Sequence, residues 1–156
     1  KLSMLAMTNP DDIQGGLAEA MQGADVFVGL AVAGALTPQM VSSMAKDAIV
    51  FAMANPIPEI MPDLASAAGA AVVGTGRSDF PNQINNSLVF PGVFRGALDI
   101  KATRITTGMK LAAAKALAAL ITEPTTERVI PWSLDPTVSP AVAQATASAW
   151  TAENTG

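Results

Sequence analysis

A chain of 156 residues, half of them apolar and 14% charged, is expected to fold as one globular domain rather than remain disordered. Its net charge of −4 and its nine scattered basic residues argue against a nucleic-acid partner, and its longest uncharged apolar run, residues 26–36, is too short to span a bilayer. With no Cys, His or Tyr, it holds no disulfide, Ser-His-Asp triad, thiol nucleophile, histidine metal site or tyrosine acid.

Taken in order, residues 11–22 predict a helix with Asp11 or Asp12 as cap and Leu17 and Ala20 on its apolar face, stopped by Gly23. Residues 24–30 are a nearly continuous apolar run, which predicts a strand buried on both faces and followed by a loop from Gly29 to Gly34. Thr37-Pro38 starts a helix, with Thr as cap and Pro at the first helical position, and Met40, Val41 and Met44 form its core stripe. Residues 48–54 predict a second buried strand closing on Asn55-Pro56, where the proline keeps Asn55 extended and presents its side chain at the strand end. Pro62-Asp63 opens a short helix to Ala68 that Gly69 ends, residues 70–73 predict the third strand, and Gly74-Thr75-Gly76 a turn. Strands alternating with helices imply a parallel sheet, and ligands of such sheets bind beyond the carboxyl ends of the strands. Residues 29–34, 55–56 and 74–76 would then share one rim.

Behind the third strand, Asn82, Gln83, Asn85 and Asn86 offer donors and acceptors without charge, which suits a carboxylate, a ribose hydroxyl or a carboxamide. Asparagines also populate loops simply because they bond their own backbone and tolerate left-handed conformations. The nearby carboxylates Asp79 and Glu59 read either as acid-base groups or as a loop or cap residue and a solvated turn charge. The GxG at Gly74 meets Asp79 where a third glycine would complete the dinucleotide fingerprint, and no phosphate-binding lysine follows. Pro91 lies near a helix start, residues 92–100 continue that helix with Arg95 and Asp99 one turn apart, and residues 109–121 form a helix of strong formers. Ser139-Pro140 opens a last helix through Trp150, after a loop with Trp132 and Asp135, and residues 153–156 are expected to fray.

The words FAMANPIPEI at residues 51–60 and VVGTGRSDFPNQINNSLVFPGVFRGALD at residues 72–99 resemble the signature of the malic enzymes, in particular the short bacterial type. The similarity runs from about Gly23 to Leu120. It implies an α/β fold in which residues 1–121 are the C-terminal half of a Rossmann-like NAD(P)-binding domain, an incomplete parallel sheet with flanking helices, and residues 122–156 a C-terminal loop and helix. It also implies oxidative decarboxylation of malate to pyruvate with NAD or NADP and with Mg²⁺ or Mn²⁺, in a protein that is a homo-oligomer at full length. By match to the motifs, Asn55 would lie against cofactor or substrate, Asn85 would face the cofactor, and Asn86 would bind the malate carboxylate. In that family the proton-transferring tyrosine and lysine, the acidic metal ligands and the glycine-rich pyrophosphate loop all precede the matched region, so no catalytic residue and no metal ligand is expected here. The family's GLS or GVS and following PG are replaced by Gly29-Leu30-Ala31 and Ala33-Gly34.

Two other readings stand beside this one: a non-catalytic nucleotide- or ligand-binding Rossmann-like domain, and a related dehydrogenase acting on a different acid. The lack of cysteine leaves the redox compartment open, an intracellular enzyme in the cytoplasm is expected, the chain's start lacks a signal-peptide pattern, and Lys1 is expected not to be the native start of translation. The choice between NAD and NADP belongs to a residue after an earlier strand.

Overall fold

The computed structural model describes residue 4 and residues 7–154. Strands β1 (Val26–Gly29), β2 (Ile49–Ala52) and β3 (Val72–Thr75) form a parallel sheet in the order β1-β2-β3. Gly29 pairs with Ala52 and Ala52 with Thr75, so the carboxyl ends of all three strands lie level, as the alternating pattern predicts. Helices α1 (Leu17–Met21), α2 (Pro38–Ser42) and α3 (Pro62–Ala67) share a core with one face of the sheet, built from Met21, Phe27, Val41, Met44, Val50 and Ile60 among others. Thr37 caps α2 as expected, its Oγ1 accepting from Met40 N at 3.3 Å. Gly69, at φ +110°, ends α3 in a conformation that a residue with a Cβ rarely adopts.

Three expectations about the first helix and the sheet are corrected. The first helix begins at Leu17 rather than at residue 11, because Asn9, Asp12 and Gly15 all take positive φ, and it is Glu19 Oε2 that accepts from Gly16 N, at 2.7 Å. β1 is not buried on both faces: it is an edge strand, Phe27 faces the core, and Val26 and Val28 are 49% and 58% exposed. β3 starts two residues later than expected and takes in Gly74 and Thr75. Gly74 is therefore a packing residue, since a Cβ there would stand 2.8 Å from Ile84 Cδ1.

A second core lies beyond the sheet. A 3₁₀ turn (Asn86–Leu88) leads into α4 (Phe90–Asp99), with Pro91 in its first turn as predicted, followed by α5 (Thr107–Ala119) and α6 (Val138–Asn154). Leu88, Ala113, Leu117, Val138 and Val142 form its centre. Glycines bring α4 against α6: a Cβ on Gly92 would stand 2.6 Å from Val142 Cβ, and one on Gly96 would strike the Ala143 carbonyl oxygen. Arg95 and Asp99 pair at 2.8 Å on an exposed face, a contact of little energetic weight. α5 starts earlier than expected because Thr106 Oγ1 accepts from Met109 N at 3.1 Å. Glu153 and Asn154, expected to fray, are helical, with Asn154 Nδ2 donating to Trp150 O at 2.8 Å; residues 155–156 lie outside the described ones. Among the described residues no helix is long and apolar enough to cross a membrane.

Candidate functional site

The level strand ends bring three loops to one rim: residues 30–36 after β1, 53–61 after β2 and 76–85 after β3. The first two are joined by backbone hydrogen bonds, from Met53 N to Gly29 O at 3.1 Å and from Leu36 N to Glu59 O at 3.1 Å. The third folds back along its own strand, with Ile84 N donating to Thr75 O at 2.7 Å. Asn55 leaves β2 through a cis peptide to Pro56, and its side chain is exposed. Its Nδ2 lies 3.6 Å from where a Cβ on Gly76 would be, so the second and third loops meet at that point.

The four amides expected to line a ligand site divide by role. Asn82 is 5% exposed and turned inward: its Nδ2 donates to Val73 O at 3.1 Å and Thr126 O at 2.8 Å, and its Oδ1 accepts from Val129 N at 2.8 Å. It clamps β3 to the segment before α6, and both of its N–H donors are consumed in doing so. Asn85 is half-buried; its Oδ1 caps the 3₁₀ turn by accepting from Ser87 N at 3.0 Å, and its Nδ2 makes a long bond of 3.4 Å to Gly76 O. One of its two amide hydrogens remains free. The side chains of Gln83 and Asn86 form no hydrogen bond with any described residue, and Asn86 is exposed. Asn55 and Asn85 therefore stand on the loops of one rim, Asn86 opens the 3₁₀ turn directly after the third loop, and Asn82 belongs to the scaffold beneath it.

The two carboxylates differ as sharply. Asp79 is engaged by Arg77 in two parallel bonds, Nε to Oδ1 at 2.8 Å and an NH2 nitrogen to Oδ2 at 2.6 Å. The guanidinium's hydrogen bonds hold the Asp79 carboxyl below its ordinary range and raise the Arg77 guanidinium in turn. Such a group stays ionised and paired rather than shuttling protons. Arg77 also lies over the Phe80 ring, 5.3 Å from its centroid, and reaches Pro56 O at 3.5 Å. Glu59 is no solvated turn charge: it is fully buried, and its carboxylate accepts from Ala31 N at 2.7 Å and Ala54 N at 3.0 Å. Sequence reasoning missed both Arg77 and the burial of Glu59. The available signal for the latter was its place between Pro58 and Ile60, in a stretch otherwise apolar from Pro56 to Pro62.

Among the described residues no three His, Cys, Asp or Glu side chains group together as a metal site would require. A groove of about 560 Å³ between α2 and α3, lined by Pro38, Gln39, Ser42, Leu64 and Ala68 among others, shares no residue with the strand-end rim.

Residues 6–149 match the sequence model of the family described as malic enzyme, NAD binding domain. The chain is 58% identical over 151 residues to the bifunctional malic/malolactic enzyme of Bacillus subtilis, covering 96% of this chain and 37% of that protein. It is 58% identical over 117 residues to the NAD-dependent malic enzyme of Geobacillus stearothermophilus, covering 75% and 24% respectively. The crystal structure of a malic enzyme from Pyrococcus horikoshii superposes with a TM-score of 0.90 at 50% identity, over 94% of this chain and 34% of that one. The chain thus spans little more than a third of the length of these relatives at most.

Proposed function

Because the chain belongs to the malic enzyme family, and within it to the NAD-binding domain, we propose that it forms the nicotinamide-side rim of an enzyme that oxidatively decarboxylates malate to pyruvate. The observation that carries this reading is the presence of two exposed asparagine amides that bond no described residue beyond the carboxyl ends of a parallel sheet, Asn55 on the loop after β2 and Asn86 at the start of the 3₁₀ turn that follows the loop after β3. In this reading residues 1–121 are the second half of the cofactor domain, and residues 122–156 complete the helical core behind it.

The donor set fits a nicotinamide, NAD or NADP, whose uncharged carboxamide needs one acceptor and one donor at short range. When bound, the cofactor supplies the hydride acceptor. Asn55 offers its amide to that carboxamide, and Asn85, with one hydrogen free, faces the cofactor side. Asn86 donates to a carboxylate of malate and fixes its orientation without adding charge that would compete with a metal. The described residues do not fit a Mg²⁺ or Mn²⁺ site, and in this reading the metal ligands and the proton-transferring groups come from elsewhere in the parent protein. Oxidation needs a base for the hydroxyl proton, and the one acid closest to the rim surface, Asp79, is already paired with Arg77.

The test is malate-dependent reduction of NAD or NADP in the presence of Mn²⁺ by the full-length protein that carries this sequence, beside the 156-residue chain alone. The full-length protein is expected to turn over and the isolated chain not to. Cofactor binding without any malate turnover in the full-length protein would instead support the non-catalytic binding domain.

A further inference from the structure

Glu59 contributes nothing to the outer surface of the rim, yet its carboxylate lies at the junction of two of its loops. It is fully buried, and burying a carboxylate is costly unless each oxygen finds a donor. Here each does, in a different loop: Oε1 accepts from Ala31 N, two residues past the end of β1, and Oε2 accepts from Ala54 N, the residue before Asn55. The carboxylate lies directly against Gly29, where an added Cβ would stand 2.6 Å from Glu59 Cδ. Backbone bonds from Gly34 N to Pro58 O and from Leu36 N to Glu59 O already join the two loops further out, so holding the loops together does not by itself require a buried carboxylate. What the carboxylate adds is a fixed position for the Ala31 and Ala54 amides, each two residues past the end of its strand and the second adjacent to Asn55.

We propose that Glu59 is a positioning residue that sets Asn55 and the loop from Leu30 to Gly34 in register with each other, and thereby places the nicotinamide relative to the strand ends. The kinetic part of this rests on the malic enzyme reading; the clamp itself does not. Glu59→Gln keeps the shape but offers one acceptor oxygen in place of two, so one backbone N–H must face an NH₂ group.

Two measurements on Glu59→Gln decide the matter. Hydrogen exchange at the Ala31 and Ala54 amides should lose protection by about tenfold while the amides of β2 keep theirs. In the full-length protein the KM for the nicotinamide cofactor should rise about tenfold, with the KM for malate within about twofold, because Asn86 is held by a different loop. Unchanged exchange at both amides would overturn the clamp, and that result is readable even if the wild-type protein proves inactive on malate. Lost protection with unchanged kinetics, or an equal rise in both KM values together with loosened exchange across the whole sheet, would reduce Glu59 to a general structural residue and overturn the positioning role. Should Glu59→Gln fail to fold, Glu59→Asp keeps both acceptor oxygens but draws them back by one methylene from Ala31 N and Ala54 N. It must then give the same split between the two KM values, and its failure to do so would also contradict the proposal.

Discussion

Asn55 and Gly76 meet across the gap between two strand ends, the Asn55 amide nitrogen 3.6 Å from the point where a Cβ on Gly76 would stand. A side chain at position 76 would find ordinary van der Waals room beside the amide, and no described residue hydrogen-bonds the Asn55 side chain, so Asn55 is placed there without being consumed by the fold. Asn55→Ala is accordingly expected to leave the melting temperature within about 2 °C of wild type, the range of a surface substitution. Loss of one hydrogen bond to the cofactor or substrate should nonetheless lower kcat/KM of the full-length protein by roughly tenfold. Calorimetry and steady-state kinetics on the same preparation check both halves.

Asn82 behaves oppositely, although it stands only three residues from Asn85. Asn82→Ala removes two donated bonds and one accepted bond, leaves Val73 O, Thr126 O and Val129 N without their partner, and places alanine at φ +53°. A loss of about 2–4 kcal/mol is expected. Denaturant titration should show the midpoint shifted with the slope retained.

This contrast shows where the sequence was legible. Asn82, Gln83, Asn85 and Asn86 are four amides in five residues, alike in composition, and only Asn86 and Gln83 remain wholly unbonded to the described residues. What turns Asn82 inward is the backbone of Thr126 and Val129, 44 and 47 residues further on, which no local pattern contains. Glu59 was obscured for the same reason, since one of its two donors, Ala31, lies 28 residues away. By contrast the Thr37-Pro38 helix start, the glycine stop at Gly69 and the shared rim follow from local chemistry and strand direction, and these stand as read. The face of β1 was misjudged because an apolar run predicts burial without saying which chain segment covers it; Val26 and Val28 are exposed among the described residues.

Thr146, in the middle of α6, has a fully buried hydroxyl with no hydrogen-bond partner among the described residues. Thr146→Val keeps the shape, replaces the hydroxyl by a methyl, and has nearly the same helix propensity. It should stabilise the chain by about 1 kcal/mol, seen as a higher denaturant midpoint.

The Arg77 and Asp79 pair gives the third loop a defined pH response. Because the Arg77 hydrogen bonds lower the Asp79 carboxyl in the folded state, the pairing contributes fully above the ordinary aspartate range and is lost as pH falls through the lowered folded value. Asp79 should therefore titrate below the ordinary aspartate range, and Arg77→Ala should bring its midpoint back up toward that range. Both groups are partly exposed, so added salt should reduce the shift. Carboxyl chemical shifts followed by NMR read this directly.

The central claim is that the exposed Asn86 amide meets the substrate carboxylate, and kinetics of Asn86→Ala in the full-length protein test it most directly. The substitution removes no hydrogen bond to any described residue, so folding should be unaffected. A bond to a charged group contributes about 1.5–3 kcal/mol, which predicts a fall in kcat/KM for malate of roughly 10- to 150-fold with the cofactor KM little changed. Wild-type kcat/KM for malate in the folded variant would contradict the assignment and remove Asn86 from the site.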